Sequence, residues 1–187
     1  SAMGGLIELD AEALTARVFG GTLWEPLQKQ LNRKGVDLRL YPSSLPSSTV
    51  AGWLAQGGAG FGSYEYGFFK DSVLAARVVT PDGSVTEYTG EELEQLVADA
   101  EGITGIITEV TIALRPLEDE VHRVLALPTI EALSTALGEI SAQSLPIWSL
   151  TFLNPESTRL KKTLPHRHGH PYELAHAHYE PELPEAF

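Results

Sequence analysis

Cysteine is absent from this 187-residue chain. That excludes disulfides, thiolate metal sites and a cysteine nucleophile, and it makes an intracellular protein the default. Positive charge is scarce: 13 Lys and Arg stand against 25 Asp and Glu, for a net charge of −12. Nucleic-acid binding needs clustered basic residues, so a nucleic-acid partner is excluded. No stretch approaches about eighteen uncharged apolar residues, so no transmembrane segment is expected. Ser1-Ala2-Met3 has no signal-peptide pattern and reads as a tag remnant ahead of a native start. The commonest nucleotide loops are missing as well. Gly58 and Gly60 fit G-x-G-x-x-G, but position 63 is Ser63; Gly67 is followed by Phe68, where a Walker A loop needs Lys. No nucleophile-elbow motif supports a Ser-His-Asp triad.

What the chain does have is glycine in one place. Six of its 17 glycines fall between Gly52 and Gly67. Glycine lets the backbone take φ > 0 and approach another surface closely, at a high cost in conformational entropy. Glycine density alone leaves two readings open: a glycine-rich surface loop, or backbone wrapped on something flat or anionic.

Pattern places the glycines among regular elements. Leu6–Asp10 and Ala13–Phe19 alternate with period two and predict strands. Thr22-x-x-Glu25 predicts a capping box opening a helix with Leu23, Leu27 and Leu31 on its buried face and Gly35 as its stop. Asp37–Tyr41 reads as a short strand, Pro42 to Ser48 as an irregular loop, and Thr49–Gln56 as a short helix. Asp71–Thr80 and Ser84–Tyr88 form a hairpin about Pro81-Asp82-Gly83. Glu91–Asp99 predicts a helix with Leu93, Leu96 and Val97 inward. The turn Glu101-Gly102-Ile103-Thr104-Gly105 then opens a strand over Ile106–Leu114. Beyond it, Glu120–Leu127 and Ile147–Leu153 predict strands around a Thr129–Ser141 helix, with Pro155–Lys162 helical and Tyr172–Tyr179 a last strand. The change of character sets a boundary near Pro116–Asp119, giving domains of 1–117 and 118–187.

The order of these motifs resembles a known family. Ala16-Arg17-Val18-x-Gly20-Gly21-Thr22-x-Trp24-x-x-Leu27 comes first, then Pro42 with Thr49-Val50-Ala51-Gly52. Gly57-Gly58-Ala59-Gly60 precedes Tyr66-Gly67-x-x-x-Asp71-x-Val73-Leu74. Val78-Val79-x-Pro81-Asp82-Gly83 and Glu101-Gly102-Ile103-Thr104-Gly105-Ile106-Ile107-Thr108-Glu109-Val110 complete the series. Together they resemble the PCMH-type FAD-binding domain of FAD-linked oxidases and dehydrogenases, of the vanillyl-alcohol oxidase and glycolate oxidase type. The resemblance runs from about Leu6 to about Pro128. Ala51 and Thr104 depart from it, standing where the family commonly has Gly and Leu.

The resemblance implies an α+β fold: the second subdomain of that FAD-binding domain, followed by the start of a ferredoxin-like α+β cap. It implies FAD as cofactor, held by Pro42, Ser48, Thr49, Val50, Gly52, Trp53, Gly57, Gly58, Gly60 and Tyr66 on one side. Glu101, Gly102, Gly105, Ile106 and Ile107 would make a second approach. Backbone of Thr49–Gly60 would lie along the flavin and its diphosphate, its N–H groups donating to polar atoms. Without a ligand, Gly102 and Gly105 read as a tight helix-to-strand turn, and Tyr64 and Tyr66 as packing for the loop. The implied activity is oxidation of a small 2-hydroxy acid, of glycolate or lactate type, by hydride transfer to flavin N5. The residues ahead of Leu6 are too few to supply the family's pyrophosphate loop. The expectation is therefore half of an FAD site, inactive alone, completed by a partner subunit or a longer chain. It would be cytoplasmic, and peripheral at the inner membrane only through a partner. A non-catalytic scaffold that kept the fold without the cofactor is the alternative. No catalytic residue is assigned, Glu101 and Glu109 included.

Five of the six histidines cluster at the carboxyl end: His166, His168, His170, His176 and His178. Spacing of two places alternate strand residues on one face, as metal sites require. No carboxylate partner can be placed beside them, so a solvated loop and a polar strand face are favoured and no metal is expected.

Overall fold

The computed structural model describes residues 3–157 and 159. These divide into two compact units, the first running to Glu118 and taking in Trp148–Leu150, the second holding Asp119–Ile147 and the residues from Thr151.

The first unit is an antiparallel sheet with helices on one face. Its strands are β1 (Leu6–Asp10), β2 (Thr15–Phe19), β3 (Val36–Leu38), β4 (Val73–Val79), β5 (Val85–Tyr88) and β6 (Ile106–Pro116). The helices are α1 (Trp24–Asn32), α2 (Val50–Gln56), the single turn α3 (Ser63–Tyr66) and α4 (Gly90–Leu96), with a 3₁₀ turn at Phe69–Ser72. The sheet order is β1-β2-β6-β4-β5, with β3 pairing the far end of β6. Mixed helix and antiparallel sheet is the α+β class that the sequence implied.

Register decides which face is buried. Val18 pairs with Val110, which pairs with Ala76 on the other side, and all three are buried. The core closes over that row with Trp24, Leu27 and Leu31 of α1, Val50, Trp53 and Leu54 of α2, and Phe69 and Leu93. One residue along, the opposite face carries Phe19, Glu109, Arg77 and Glu87 in one row. Glu109 bridges Arg77 at 3.2 Å and Arg17 at 3.7 Å there. Alternation thus gives one apolar and one polar face, as half-covered antiparallel sheets do.

Three details differ from the sequence reading. Thr22 does not cap α1. Its hydroxyl accepts from the Gly5 N–H at 2.8 Å and donates to the Gly5 carbonyl at 3.1 Å, so a tertiary partner takes the oxygen that a capping box needs. Glu25 is bridged to Lys29, and its N–H donates to the Leu45 carbonyl. Leu23 pairs in extended form with Thr49, so the helix starts one residue later. The buried stripe is therefore Trp24, Leu27 and Leu31, with Leu23 39% exposed. Leu96 ends α4 and is exposed, while Val97 and Ala98, just past the helix, turn inward.

In the second unit, α5 (Ile130–Ala142) forms as expected, capped by the Thr129 hydroxyl accepting from the Ala132 N–H at 3.2 Å. Glu120–Leu127 and Ile147–Leu153 are not strands. Pro155–Lys162 is helical at Pro155–Ser157 and at Arg159; its other residues, the Tyr172–Tyr179 strand and the carboxyl-terminal histidines lie outside the described residues.

Candidate cofactor wall

Helix α2 organises the candidate site. Its N-cap, Thr49, accepts from the Gly52 N–H at 3.2 Å. The Val50 N–H donates to the Thr22 carbonyl and the Ala51 N–H to the Gly20 carbonyl, both at 2.9 Å. Gly20 in turn donates to the Thr108 carbonyl at 2.7 Å. A Cβ on Gly20 would lie 2.5 Å from the Ile107 carbonyl oxygen and 2.9 Å from Cβ of Ala51. The β2–α1 turn, the start of α2 and the start of β6 are thus pressed together backbone on backbone.

The other end of α2 meets the second glycine turn. Asp99 N–H donates to the Leu54 carbonyl at 3.0 Å and Glu101 N–H to the Ala55 carbonyl at 2.8 Å, satisfying carbonyls left open at the helix end. Three residues hold left-handed backbone there: Asp99 at φ 57°, Glu101 at 51° and Gly102 at 75°. The two glycine segments singled out in the sequence are therefore adjacent, joined by one helix. Glu101, Gly102 and Ile103 are exposed, Ile103 to 84%, and Ile106 is 70% exposed.

From Gly57 the chain folds back onto its own domain. Phe61 and Tyr41 exchange both backbone bonds, at 3.0 and 2.9 Å. Gly60 donates to the Ser63 hydroxyl at 2.8 Å, and a Cβ there would strike the Tyr41 carbonyl. A Cβ on Gly58 would lie 3.0 Å from Trp53 Nε1. Gly57, at φ 74°, abuts the Asp99 carboxylate. A Cβ on Gly105, at φ 156°, would lie 2.6 Å from both Val78 Cγ1 and the Val79 carbonyl oxygen. These four glycines answer to internal packing.

Gly52 does not. It is exposed on α2, and the one atom within 4 Å of its would-be Cβ is the Thr49 hydroxyl of its own cap, at 2.9 Å. Neither a positive φ nor a packed neighbour from elsewhere in the fold accounts for a glycine there. Bare helix backbone facing outward is what a flat group needs in order to lie close, and Ile103 and Ile106 are exposed where the second glycine turn enters β6. On that observation the residues present fit an aromatic cofactor.

The remaining expected residues sort by burial. Val50 and Trp53 belong to the core, Trp53 stacked on Phe69 at 4.7 Å and edge-on to Trp24 at 5.4 Å. Pro42 is buried behind Gly60. Ser48 and Thr49 are half-buried, the Ser48 hydroxyl donating to the Ser44 carbonyl. Tyr66 is half-buried with the Arg39 guanidinium 5.3 Å from its ring. Burial pushes the Tyr66 phenol up and Glu65 adds to the rise, while Arg115 and Arg39 pull the other way. Ile107 is half-buried and lends its carbonyl to the Gly20 contact. The amides of Val50, Ala51, Gly52, Trp53, Gly57 and Gly60 all donate within the chain. At these six positions the wall offers bare backbone surface rather than free N–H donors.

Sequence reasoning passed over Arg39, the Asp37–Arg115 pair and Trp148, which gather behind the glycine loop. Arg115 Nη2 lies 3.0 Å from Asp37 Oδ2 with both side chains buried, and Arg115 Nε donates to the Leu38 carbonyl. The one available signal was a charged residue inside each of two apolar strands, Asp37 and Arg115, a pattern that asks for pairing.

Residues 1–89 match the family model described as an FAD binding domain. Over those residues the chain is similar to the FAD-binding domain family. Alkyldihydroxyacetonephosphate synthase of Trypanosoma brucei brucei is 31% identical over 164 residues, which are 84% of this chain and 27% of that protein. Glycolate oxidase subunit GlcD of Bacillus subtilis (strain 168) is 29% identical over 161 residues, 81% of this chain and 34% of that protein. A solved structure of alkyldihydroxyacetonephosphate synthase superposes with a TM-score of 0.65 at 30% identity, covering 76% of this chain and 27% of that one. The chain thus spans between 27% and 34% of the length of these two curated relatives. The cofactor of the FAD-binding family is FAD. Among the described residues, no helix is long and apolar enough to cross a membrane.

Proposed function

We propose that this chain forms one wall of the FAD groove of a flavin-dependent oxidoreductase, and that the whole protein oxidises a small 2-hydroxy acid of glycolate or lactate type. The observation that carries the reading is Gly52, exposed helix backbone whose would-be Cβ meets only the hydroxyl of its own cap, Thr49. FAD, when bound, supplies a hydride acceptor at flavin N5. The chain's own part is positional. Gly52 leaves room for a ring, Thr49 holds the helix turn beneath it, and Ile103 and Ile106 keep water from the contact. Ser48, Glu101, Gly102 and Ile107 border this patch. Pro42, Val50, Trp53, Gly57, Gly58, Gly60, Tyr66 and Gly105 shape it from behind. A longer chain or a partner subunit supplies the facing wall. We place the protein in the cytoplasm, where a cysteine-free chain needs no oxidising compartment.

The hydroxy-acid substrate takes its support from relatives that include glycolate oxidase subunit GlcD and D-lactate dehydrogenase [cytochrome]. A synthase reading is favoured by a different observation, the superposition on alkyldihydroxyacetonephosphate synthase. The test uses the full-length protein carrying this chain. Gly52→Leu is expected to weaken FAD affinity at least tenfold, roughly the cost of one displaced contact of 1.4 kcal/mol, with the melting temperature held. Unchanged affinity would remove the wall. Anaerobic bleaching of the flavin absorbance by glycolate or lactate supports the oxidoreductase. Formation of an alkyldihydroxyacetonephosphate without such bleaching decides for the synthase.

A further inference from the structure

Trp148 belongs to the first unit together with Ser149 and Leu150, although the chain on either side of these three groups with the second unit, through Ile147 and again from Thr151. The indole is half-buried and its Nε1 donates to the Arg39 carbonyl at 2.7 Å. The Arg115 guanidinium lies 4.3 Å from the indole centroid, and the Tyr41 ring 5.6 Å away. Arg115 is not free to drift, since Asp37 and the Leu38 carbonyl hold it. It is a fixed cationic platform for the indole face.

The opposite side of this contact is the glycine loop. Gly62 sits at φ 94°, and a Cβ there would lie 2.6 Å from Trp148 Nε1 and would strike the Arg39 carbonyl. Gly62 is therefore glycine for two reasons, backbone conformation and the indole against it. Tyr41, whose ring also packs on the indole, is the backbone partner of Phe61. The indole thus bears on both sides of the Tyr41–Phe61 bridge, through Gly62 next to Phe61 and through the Tyr41 ring. A segment this rich in glycine loses much entropy on ordering and needs outside contacts to hold one form.

We propose that Trp148 is a positioning residue for the FAD wall: laid over Gly62 and Tyr41, it fixes the Gly57–Gly67 loop in the form that backs the cofactor surface. This rests on the FAD reading above. It adds that the order of the wall depends on a side chain contributed from beyond the sheet.

The test has two arms, on the full-length protein. Backbone hydrogen exchange without added FAD follows the amides of Phe61 to Gly67, with Val18 and Val110 as controls in the sheet. Trp148→Phe keeps a ring over Arg115 and loses the hydrogen bond, so loop exchange should quicken by roughly two- to tenfold. Trp148→Ala should quicken it further, with the controls unchanged. FAD titration should then show affinity falling in the same order. Unchanged loop exchange in both variants overturns the proposal, as does quickened exchange with undiminished FAD affinity. If the unaltered protein takes up no FAD, the FAD reading falls, while the exchange arm still decides whether Trp148 holds the loop. If Trp148→Ala fails to fold, Trp148→Phe decides alone.

Discussion

Single residues in this chain separate into those the fold needs and those it does not. Gly105 is needed: a methyl there meets Val78 and the Val79 carbonyl at 2.6 Å, on backbone at φ 156°. Gly105→Ala is expected to cost about 2–4 kcal/mol, from overpacking and strained backbone together, read from urea unfolding. Gly52→Ala should leave stability within about 1 kcal/mol, because better helix propensity offsets a disturbed Thr49 cap. A large loss at Gly52 would show that the fold, not a ligand, asks for glycine there. Asp82 offers a pH test. Thr80 first, then Ser84 through its N–H and hydroxyl, lower its carboxyl from 3.8 to about 2. A depressed carboxyl stabilises the turn above its unfolded pKa, and that contribution fades as pH falls from 3.8 through about 2. An NMR titration of the Asp82 carboxyl should show that midpoint, and an ordinary value would remove the turn network.

At the scale of elements, the two glycine segments and the strands around them were legible because their signals are local. Alternation marked β1 and β2, the Pro81-Asp82-Gly83 turn marked the β4–β5 hairpin, and Thr49 marked the start of α2. What escaped was set by partners distant in sequence. Thr22 carries a sound capping pattern, yet Gly5 claims its hydroxyl. Leu23 has the right spacing for the core, yet its bridge to Thr49 holds it outside the helix. The candidate wall shows the same division. Its glycines were visible as composition, but which of them the fold consumes required knowing what lies opposite each one. The β3–β6 pair invites a direct test. Arg115→Met strands the Asp37 carboxylate in a buried setting and should cost about 3–5 kcal/mol in equilibrium unfolding. The double variant Arg115→Met, Asp37→Leu should recover much of that loss, since two apolar side chains leave no charge unpaired.

At the scale of the whole molecule, the proposed cofactor surface stands on a sheet assembled out of sequence order. Because the chain spans between 27% and 34% of two curated relatives, the full-length protein is expected to hold FAD in one-to-one ratio. Residues 1–187 alone should hold little; tight stoichiometric uptake by them in equilibrium dialysis would sink the two-wall account. The sheet order β1-β2-β6-β4-β5 carries a further consequence. The strand at the centre is the last of the six to be synthesised. Until Ile106–Pro116 has left the ribosome, the nascent chain holds two separate hairpins, β1–β2 and β4–β5, each with an inner edge awaiting a neighbour. β6 is the keystone that joins them. A ribosome stalled before residue 106 should therefore display open strand edges to chaperones and proteases, and release past Pro116 should close them in one step.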